Sequence, residues 1–193
     1  MSSLAAAPWH IACLTKAMTS RPPAPEESRD ATIVRGLVSL ARAGFKGGHA
    51  VPFGAQVNST RSGRVLVKAL NRVVKDCDPT AHAEVRAIRL ACRKVGRPNL
   101  SGYTLYTTCE PCAMCLTAAL FSGLDRVVYG TVVRRPDATG PRLYDYEAKR
   151  FASASLFKTK VDGPVEETLC RALVDDPKVT SYIRRQGKKG ILI

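Results

Sequence analysis

The sequence is short of acidic residues and contains no long apolar run, and both absences narrow the class of protein. Its 193 residues include 16 Asp and Glu against 30 Lys and Arg, a formal net charge of +14 at pH 7. No stretch approaches the roughly 20 consecutive apolar residues of a membrane helix, so we expect a soluble protein with no membrane partner. The basic charge suits an anionic partner such as nucleic acid, although a small-molecule enzyme tolerates it equally well.

A secretory signal and an even cysteine count are also lacking. The 7 cysteines therefore argue against a disulfide framework and predict a reducing, cytoplasmic location. Residues 1–28 are rich in Ala, Ser and Pro, have no acid before Glu26, and predict a mobile N-terminal extension. Organelle targeting by this leader is the weaker alternative. Residues 29–193 are long enough for one domain with a full core.

Hydrophobic periodicity after the extension predicts alternating helices and strands. A helix starts at Arg29 and stops at Gly47-Gly48, where glycine favours a helix end. Strands are predicted at 53–58, 64–74, 103–108, 126–129 and 156–161, and helices at 81–94, 111–121 and 165–174. Residues 131–155 are expected to be irregular, and the C-terminus is expected to be a basic tail. The alternation predicts an α/β fold with a partly parallel sheet covered on both faces.

Two short motifs carry the chemistry. The first is His82-Ala83-Glu84, and the second is Pro111-Cys112-Ala113-Met114-Cys115. Together they match the His-x-Glu and Pro-Cys-x-x-Cys signature of zinc deaminases. Each motif lies at the start of a predicted helix, after a strand or a turn. The pair is much more specific than either motif alone.

Ligand chemistry explains this arrangement. Cys112 and Cys115, spaced i and i+3 in a first helical turn, place both sulfurs on one side, where the helix N-terminus favours thiolates. With neutral His82 they make three protein ligands, the number of a catalytic zinc that keeps its fourth position for water. Such a zinc lowers the pKa of that water from about 15.7 to about 7.

Glu84 is the predicted proton carrier, because it lies two residues from a ligand. A carboxylate there takes a proton from the water, passes it to a ring nitrogen and then helps ammonia to leave. The predicted reaction is hydrolysis of an aromatic C–NH2 group. The alternative is a structural zinc, closed by Cys77 or Cys109, with Glu84 acting only as a first-turn acid favoured by the helix dipole.

A longer stretch resembles the cytidine deaminase superfamily, in its branch of guanine deaminases and tRNA adenosine deaminases. The matching segments are Val51-Pro52-Phe53-Gly54-Ala55, Asn71, Asp78 to Glu84, Thr104 to Cys112 and Gly130. The resemblance implies a three-layer αβα sandwich with a five-stranded mixed sheet, a zinc cofactor, and a homodimer. It also implies that Asn71, Phe53 and Ala83 contact the substrate. For Asn71 and Phe53, a turn cap and a core residue are the alternatives.

The substrate implied first is guanine, a small aminated heterocycle. Phe53, Cys109 and the Cys115-Leu116 pair are similar to guanine deaminases, whereas residues 131–155 resemble neither branch. Conversion of adenosine to inosine in tRNA is the alternative, and a non-catalytic, zinc-stabilised scaffold is the alternative of another class. The presence of Glu84 argues against the scaffold. The basic residues at 86, 89, 93 and 97 are typical of a solvated helix face. Near the C-terminus, phosphate contacts or a plain solvated end are the alternatives for Arg184, Arg185, Lys188 and Lys189.

Overall fold

The structure is a computed structural model that describes residues 26–46, 51–132 and 147–188. The elements in chain order are α1 (Glu26–Lys46), β1 (Gly54–Ser59), β2 (Val65–Leu70), α2 (Val73–Asp76), α3 (Ala83–Val95), β3 (Tyr103–Cys109), α4 (Ala113–Phe121), β4 (Arg126–Thr131), α5 (Ala148–Ser153), β5 (Lys160–Asp162), α6 (Glu167–Val174) and α7 (Pro177–Gly187). None of the helices described is both long enough and apolar enough to cross a membrane.

The five strands form one mixed sheet in the order β2-β1-β3-β4-β5. Strand β1 is antiparallel to β2 and β3, whereas β3, β4 and β5 run parallel to one another. Successive side chains of a strand point to opposite faces of the sheet, so the core has two parts. Leu105 and Val127 pack against one group of helices, and Tyr106 and Val128 pack against another. The first group is α3, α4 and α5, and the second is α1 and α6. The predicted three-layer sandwich is confirmed.

A buried ion-pair network joins α1 to the parallel strands. Arg126 Nη2 lies 2.7 Å from Asp30 Oδ2, and Arg126 Nε donates to Asp162 across 2.5 Å. The Tyr106 hydroxyl donates to Asp30 Oδ1 at 2.7 Å. Burial, together with the Asp30 carboxylate that accepts this bond, raises the pKa of Tyr106. The network fixes α1 against the face of the sheet opposite α3.

Two predicted boundaries were wrong near the first hairpin and the first helix. The predicted strand 64–74 ends at Leu70, because Asn71 Oδ1 accepts a bond from the Val73 N–H and starts the short helix α2. Helix α1 begins at Glu26 rather than Arg29. The rest of the predicted extension and the Gly47-Gly48 stop lie outside the described residues.

The C-terminal third departs more from prediction. Helix α5 lies inside the stretch expected to be irregular, of which residues 133–146 are outside the described ranges. Strand β5 begins at Lys160, not at residue 156, and Leu156 is fully exposed. Helix α6 begins at Glu167, because the Val165 N–H instead bonds to Tyr129 of β4. Within the predicted basic tail, Pro177–Gly187 form helix α7, and residues 189–193 lie outside the described ranges.

Candidate active site

Helices α3 and α4 begin close to each other in space, and each is directly preceded by a predicted metal ligand. His82 has extended backbone (φ −61°, ψ 151°) as the residue before α3, and Cys112 (φ −66°, ψ 169°) takes the same place before α4. Cys115 is the third residue of α4. Helix α4 directly follows β3, so the cluster lies at the carboxyl end of a parallel strand, where ligands bind in α/β sheets. The helix starts at Ala113, two residues later than predicted.

The three donor atoms fit a zinc ion. His82 Nδ1 lies 3.8 Å from Cys112 Sγ and 3.5 Å from Cys115 Sγ, and all three donors lie within 4.8 Å of one another. Tetrahedral zinc with Zn–S of about 2.3 Å and Zn–N of about 2.0 Å places such atoms about 3.5 Å apart. Nδ1 is therefore the nitrogen that faces the metal position. This is the only such donor cluster among the described residues.

Electrostatics at the cluster favour a thiolate. A hydrogen bond from the Cys115 thiol lowers the pKa of Cys112 to about 4. Burial opposes this shift, and His82 adds to it. The hydrogen bond to Cys112 and burial raise the pKa of Cys115. Burial alone would lower the pKa of His82, but Cys112 and Glu84 outweigh it and raise that pKa. The helix N-termini favour the thiolate forms of the two cysteines, and two thiolates with an imidazole are a donor set suited to a thiophilic dication.

Glu84 is buried beside the ligands, with 8% of its surface exposed. Burial raises its pKa, against the opposing effect of His82. The Thr107 hydroxyl on β3 donates to Glu84 Oε1 at 3.3 Å. A carboxylate whose pKa is raised accepts and releases protons more readily near neutral pH than an exposed one. The burial and position of Glu84 suit a general acid and base.

The loop before His82 is shaped by its own side chains. Asp78 Oδ1 accepts bonds from both the N–H and the hydroxyl of Thr80, each at 2.7 Å. These bonds lower the pKa of Asp78. The Arg72 N–H donates to the Ala81 carbonyl at 3.0 Å and ties the loop to α2. The Asp-Pro-Thr part of the motif therefore presents His82.

The predicted substrate residues lie at or shortly before the first residues of β1, α2 and α3. Asn71 is buried, its N–H donates to the Phe53 carbonyl at 3.0 Å, and its Oδ1 accepts from the N–H of Val73, the first residue of α2. Phe53 is half-buried just before β1. Ala83 is fully packed in the core, so only its main-chain N–H, an unbonded donor of a first helical turn, remains for a ligand.

Sequence reasoning missed Thr107 and Glu110. Thr107 is a buried polar residue on the face of β3 that otherwise presents Leu105 to the core, so strand alternation was the available signal. Glu110 Oε1 accepts from the Ala148 N–H at 2.9 Å and anchors α5 to the loop before α4. That contact had no sequence signal, because it spans 38 residues.

The remaining cysteines near the motif do not join the cluster. Cys77 is exposed in a left-handed conformation (φ 49°) after α2. Cys109 is buried, and burial raises the pKa of its thiol. Neither belongs to the donor group of His82, Cys112 and Cys115. In the described part of the chain no fourth ligand closes the site, which favours the catalytic interpretation over the structural one.

Known proteins share this arrangement. The cytidine and deoxycytidylate deaminase zinc-binding region matches residues 27–131. The chain is 42% identical to the guanine deaminase of Bacillus subtilis over 136 residues, which is 70% of this chain and 79% of that protein. It is 39% identical to the tRNA-specific adenosine deaminase of Aquifex aeolicus over 49% of this chain and 61% of that protein.

A solved structure agrees. Guanine deaminase from Nitrosomonas europaea superposes with a TM-score of 0.63 and 25% identity, over 83% of this chain and 85% of that one. The zinc cofactor and the hydrolytic activity predicted from the two motifs are thus borne out by the family match and the donor cluster. The chain belongs to the cytidine and deoxycytidylate deaminase family, and it is a zinc-dependent aminohydrolase.

Proposed function

We propose that this enzyme deaminates guanine, converting guanine and water to xanthine and ammonia. The observation that carries the choice is the similarity to Bacillus subtilis guanine deaminase, which extends over 79% of that protein. The match to the Aquifex aeolicus tRNA enzyme covers only 95 residues. The presence of Phe53 and Cys109, at which the sequence resembles guanine deaminases, supports the same choice.

The residues of this chain divide the proton transfers. Zinc held by His82, Cys112 and Cys115 would lower the pKa of a water at the site. Glu84 accepts a proton as the water oxygen bonds to the ring carbon that carries the amino group, and it delivers that proton to the adjacent ring nitrogen. The carbon–nitrogen bond then breaks, and the amine leaves as ammonia with the second proton of the water, again carried by Glu84.

Substrate orientation falls to the residues at the start of β1, α2 and α3. We assign Asn71 to a hydrogen bond with the purine, Phe53 to its ring face and the Ala83 N–H to a carbonyl oxygen. Asn71 and Phe53 are held together by a main-chain bond of 3.0 Å. A pocket of this kind recognises a neutral base by shape and a few polar contacts.

Adenosine in tRNA is the second candidate. The excess of 14 positive charges and the similarity to tRNA-specific adenosine deaminases support it. Both reactions release ammonia from an amino-purine through the same zinc and the same Glu84.

A homodimer is supported by an apolar patch on the α4 and α5 side. Phe121, Phe151, Leu156 and Phe157 are exposed, and the rings of Phe121 and Phe157 lie 5.3 Å apart. Two copies related by a twofold axis would bury this patch against itself. Phe121→Asp with Leu156→Asp should convert a dimer to a monomer in sedimentation velocity, and a monomeric wild type would overturn the proposal.

The free thiols of the described cysteines are consistent with a reducing compartment, and we place the enzyme in the cytoplasm.

The substrate is tested by ammonia release. The zinc-loaded protein is offered guanine, guanosine, adenine, cytosine and cytidine, beside an assay for inosine in tRNA. Guanine should be the preferred substrate, with xanthine as product. Inosine formation in tRNA without release of ammonia from guanine would establish the second candidate instead.

A further inference from the structure

The positive charge of this protein is concentrated in one part of the fold. Residues 51–109 contain 10 Lys and Arg but only Asp76, Asp78 and Glu84 as acids. Glu84 is buried in the active site, Asp76 is paired with Arg72, and Asp78 lies 3.5 Å from Arg89. Most of the cations in this segment therefore have no carboxylate partner among the described residues.

Helix α3 and the residue after its C-cap carry half of these cations on the outer side. We call this surface the basic face, and it consists of Arg86, Arg89, Arg93, Lys94 and Arg97. Four of these residues are exposed and Arg86 is half-exposed, and no acidic residue lies on the exposed side of α3. The hairpin turn extends the basic face, because the Thr60 N–H donates to Gly102 beyond the end of α3, and Arg61 and Arg64 in that turn are exposed.

Two of the cations are fixed along the edge strand β2. Lys94 Nζ donates to the Leu66 carbonyl at 3.0 Å, and the Arg86 guanidinium donates to the Leu70 carbonyl. These carbonyls belong to the outer edge of β2, because the inner edge pairs with β1. A neutral carbonyl positions a cation without cancelling its charge. The same contacts occupy the strand edge and disfavour the addition of a peptide strand there.

Like charges on the basic face repel one another. Arg93 is four residues from Arg89 within α3, a spacing at which like charges destabilise a helix. Burial, followed by the proximity of Arg72, lowers the pKa of Arg86. A solvated helix face normally relieves such repulsion with acidic residues at the same spacing. Here a bound anion would relieve it.

We propose that the basic face binds the phosphate backbone of a nucleic acid strand. Arginine predominates, and its planar fork matches phosphate. From Arg86 to Lys94 the row rises about 12 Å along the helix axis, and Arg97 follows the helix end, so the row can contact successive phosphates. Leu90 is the one large apolar side chain exposed on this side of α3, which disfavours a membrane surface. The row begins within one turn of Glu84, so a bound strand would lie beside the active site.

This inference goes beyond guanine deamination and does not depend on which base is the substrate. The test uses fluorescence anisotropy of a labelled oligouridylate with the zinc-loaded full chain. Uracil has no exocyclic amine, so the probe is not a substrate of an aminohydrolase. Arg93→Gln with Lys94→Gln and Arg97→Gln should weaken binding at least tenfold. It should also reduce the salt dependence of log K by about 2, from about 0.7 per phosphate contact.

A matched control removes the same charge elsewhere. Arg42, Arg150 and Lys158 are exposed, and their joint replacement by Gln should weaken binding less than threefold. The single variant Arg93→Gln, whose side chain has no other assigned contact, covers the case in which the triple variant misfolds, and it should lower the salt slope by about 0.7. Zinc content and melting temperature report folding of every variant.

Three results would overturn the proposal. The first is that oligouridylate does not bind at about 0.05 M salt, where phosphate contacts are strongest. The second is that the control variant loses as much affinity as the Arg93, Lys94 and Arg97 variant. The third is that polyglutamate competes with the labelled probe as well as unlabelled oligouridylate does. Ammonia release from guanine is measured in parallel and should be unchanged in the Arg93, Lys94 and Arg97 variant. A wild type that binds RNA but does not deaminate guanine would remove only the proposed substrate.

Discussion

The Thr107 hydroxyl donates to Glu84 Oε1 across 3.3 Å, and both side chains are buried. This bond orients the carboxylate that we propose carries the protons. Thr107→Val keeps the branched shape but removes the donor, and we expect kcat to fall about tenfold with little change in KM, since a bond to a charged group contributes about 1.5–3 kcal/mol.

The assay for Thr107 includes two further variants. Thr107→Ser restores a hydroxyl and should recover most of the activity. Thr104→Val is the matched control on the same strand, because Thr104 is buried and its hydroxyl bonds to Thr60 at 3.0 Å, away from Glu84. Equal losses in the Thr107 and Thr104 valine variants would mean that the effect is structural.

Glu84→Gln removes the proton carrier while preserving side-chain volume. We expect zinc to stay bound and turnover to fall by a factor of about 10²–10⁴, the range for loss of a general acid or base. Glu147→Gln, an exposed change before α5, should be neutral. Metal analysis and single-turnover kinetics measure the two effects separately, and near-normal turnover in Glu84→Gln would exclude its assigned role.

Cys112→Ser tests the metal assignment. The variant loses the thiolate that precedes α4, and we expect it to bind less zinc and to unfold at lower temperature, because the ligands connect α3 to α4. Cys77→Ser is the control, since Cys77 is exposed and outside the donor cluster. Full zinc occupancy in Cys112→Ser, measured by atomic emission, is incompatible with the proposed site.

The cluster of His82, Cys112 and Cys115 with buried Glu84 was predictable, because the proposed chemistry needs fixed residue types at short spacings. Thr107, in contrast, reaches Glu84 only through sheet packing. Helix α7 illustrates a signal that was present but overlooked. Asp176 caps its first turn by accepting from the Lys178 N–H at 2.8 Å, and Pro177 is the first helical residue. The charge of Arg184 and Arg185 instead suggested a solvated tail. Strand β2 was predicted too long because Val73 and Val74 have high strand propensity, which the bond from the Val73 N–H to Asn71 Oδ1 outweighs.

The Asp162–Arg126 pair predicts a pH dependence of stability. Burial acts to raise the pKa of Asp162, but Arg126 and Lys160 outweigh it and lower that pKa. A folded-state pKa below the unfolded value of about 3.9 stabilises the protein above that pH. The contribution is lost as the pH falls from about 4 through the lower folded-state value.

Asp162→Asn should therefore lower the free energy of unfolding at neutral pH by roughly 1–3 kcal/mol. The difference from wild type should shrink as the pH falls below about 4. Urea unfolding at several pH values measures this difference, in which loss of zinc from both proteins cancels. Asp175→Asn, at an exposed position after α6, should show no such trend. A difference independent of pH would show that the Asp162 charge is not the source of stability.

Salt separates the reaction of a free base from binding of a nucleic acid. Guanine is neutral near pH 7, so long-range charge hardly affects its capture in an enclosed pocket. We expect its turnover to change less than about threefold between low and moderate salt, where the screening length falls to about 10 Å.

Replacement of Arg184, Arg185 and Lys188 on or next to α7 by Gln should leave guanine turnover unchanged. If tRNA is the substrate, the same replacement should weaken tRNA binding and flatten its salt dependence, because these side chains are exposed and available to phosphates. Lys189, the fourth member of that basic group, lies outside the described residues and is left as it is. Inosine formation that collapses with salt, together with no activity on guanine, would assign the enzyme to the tRNA branch.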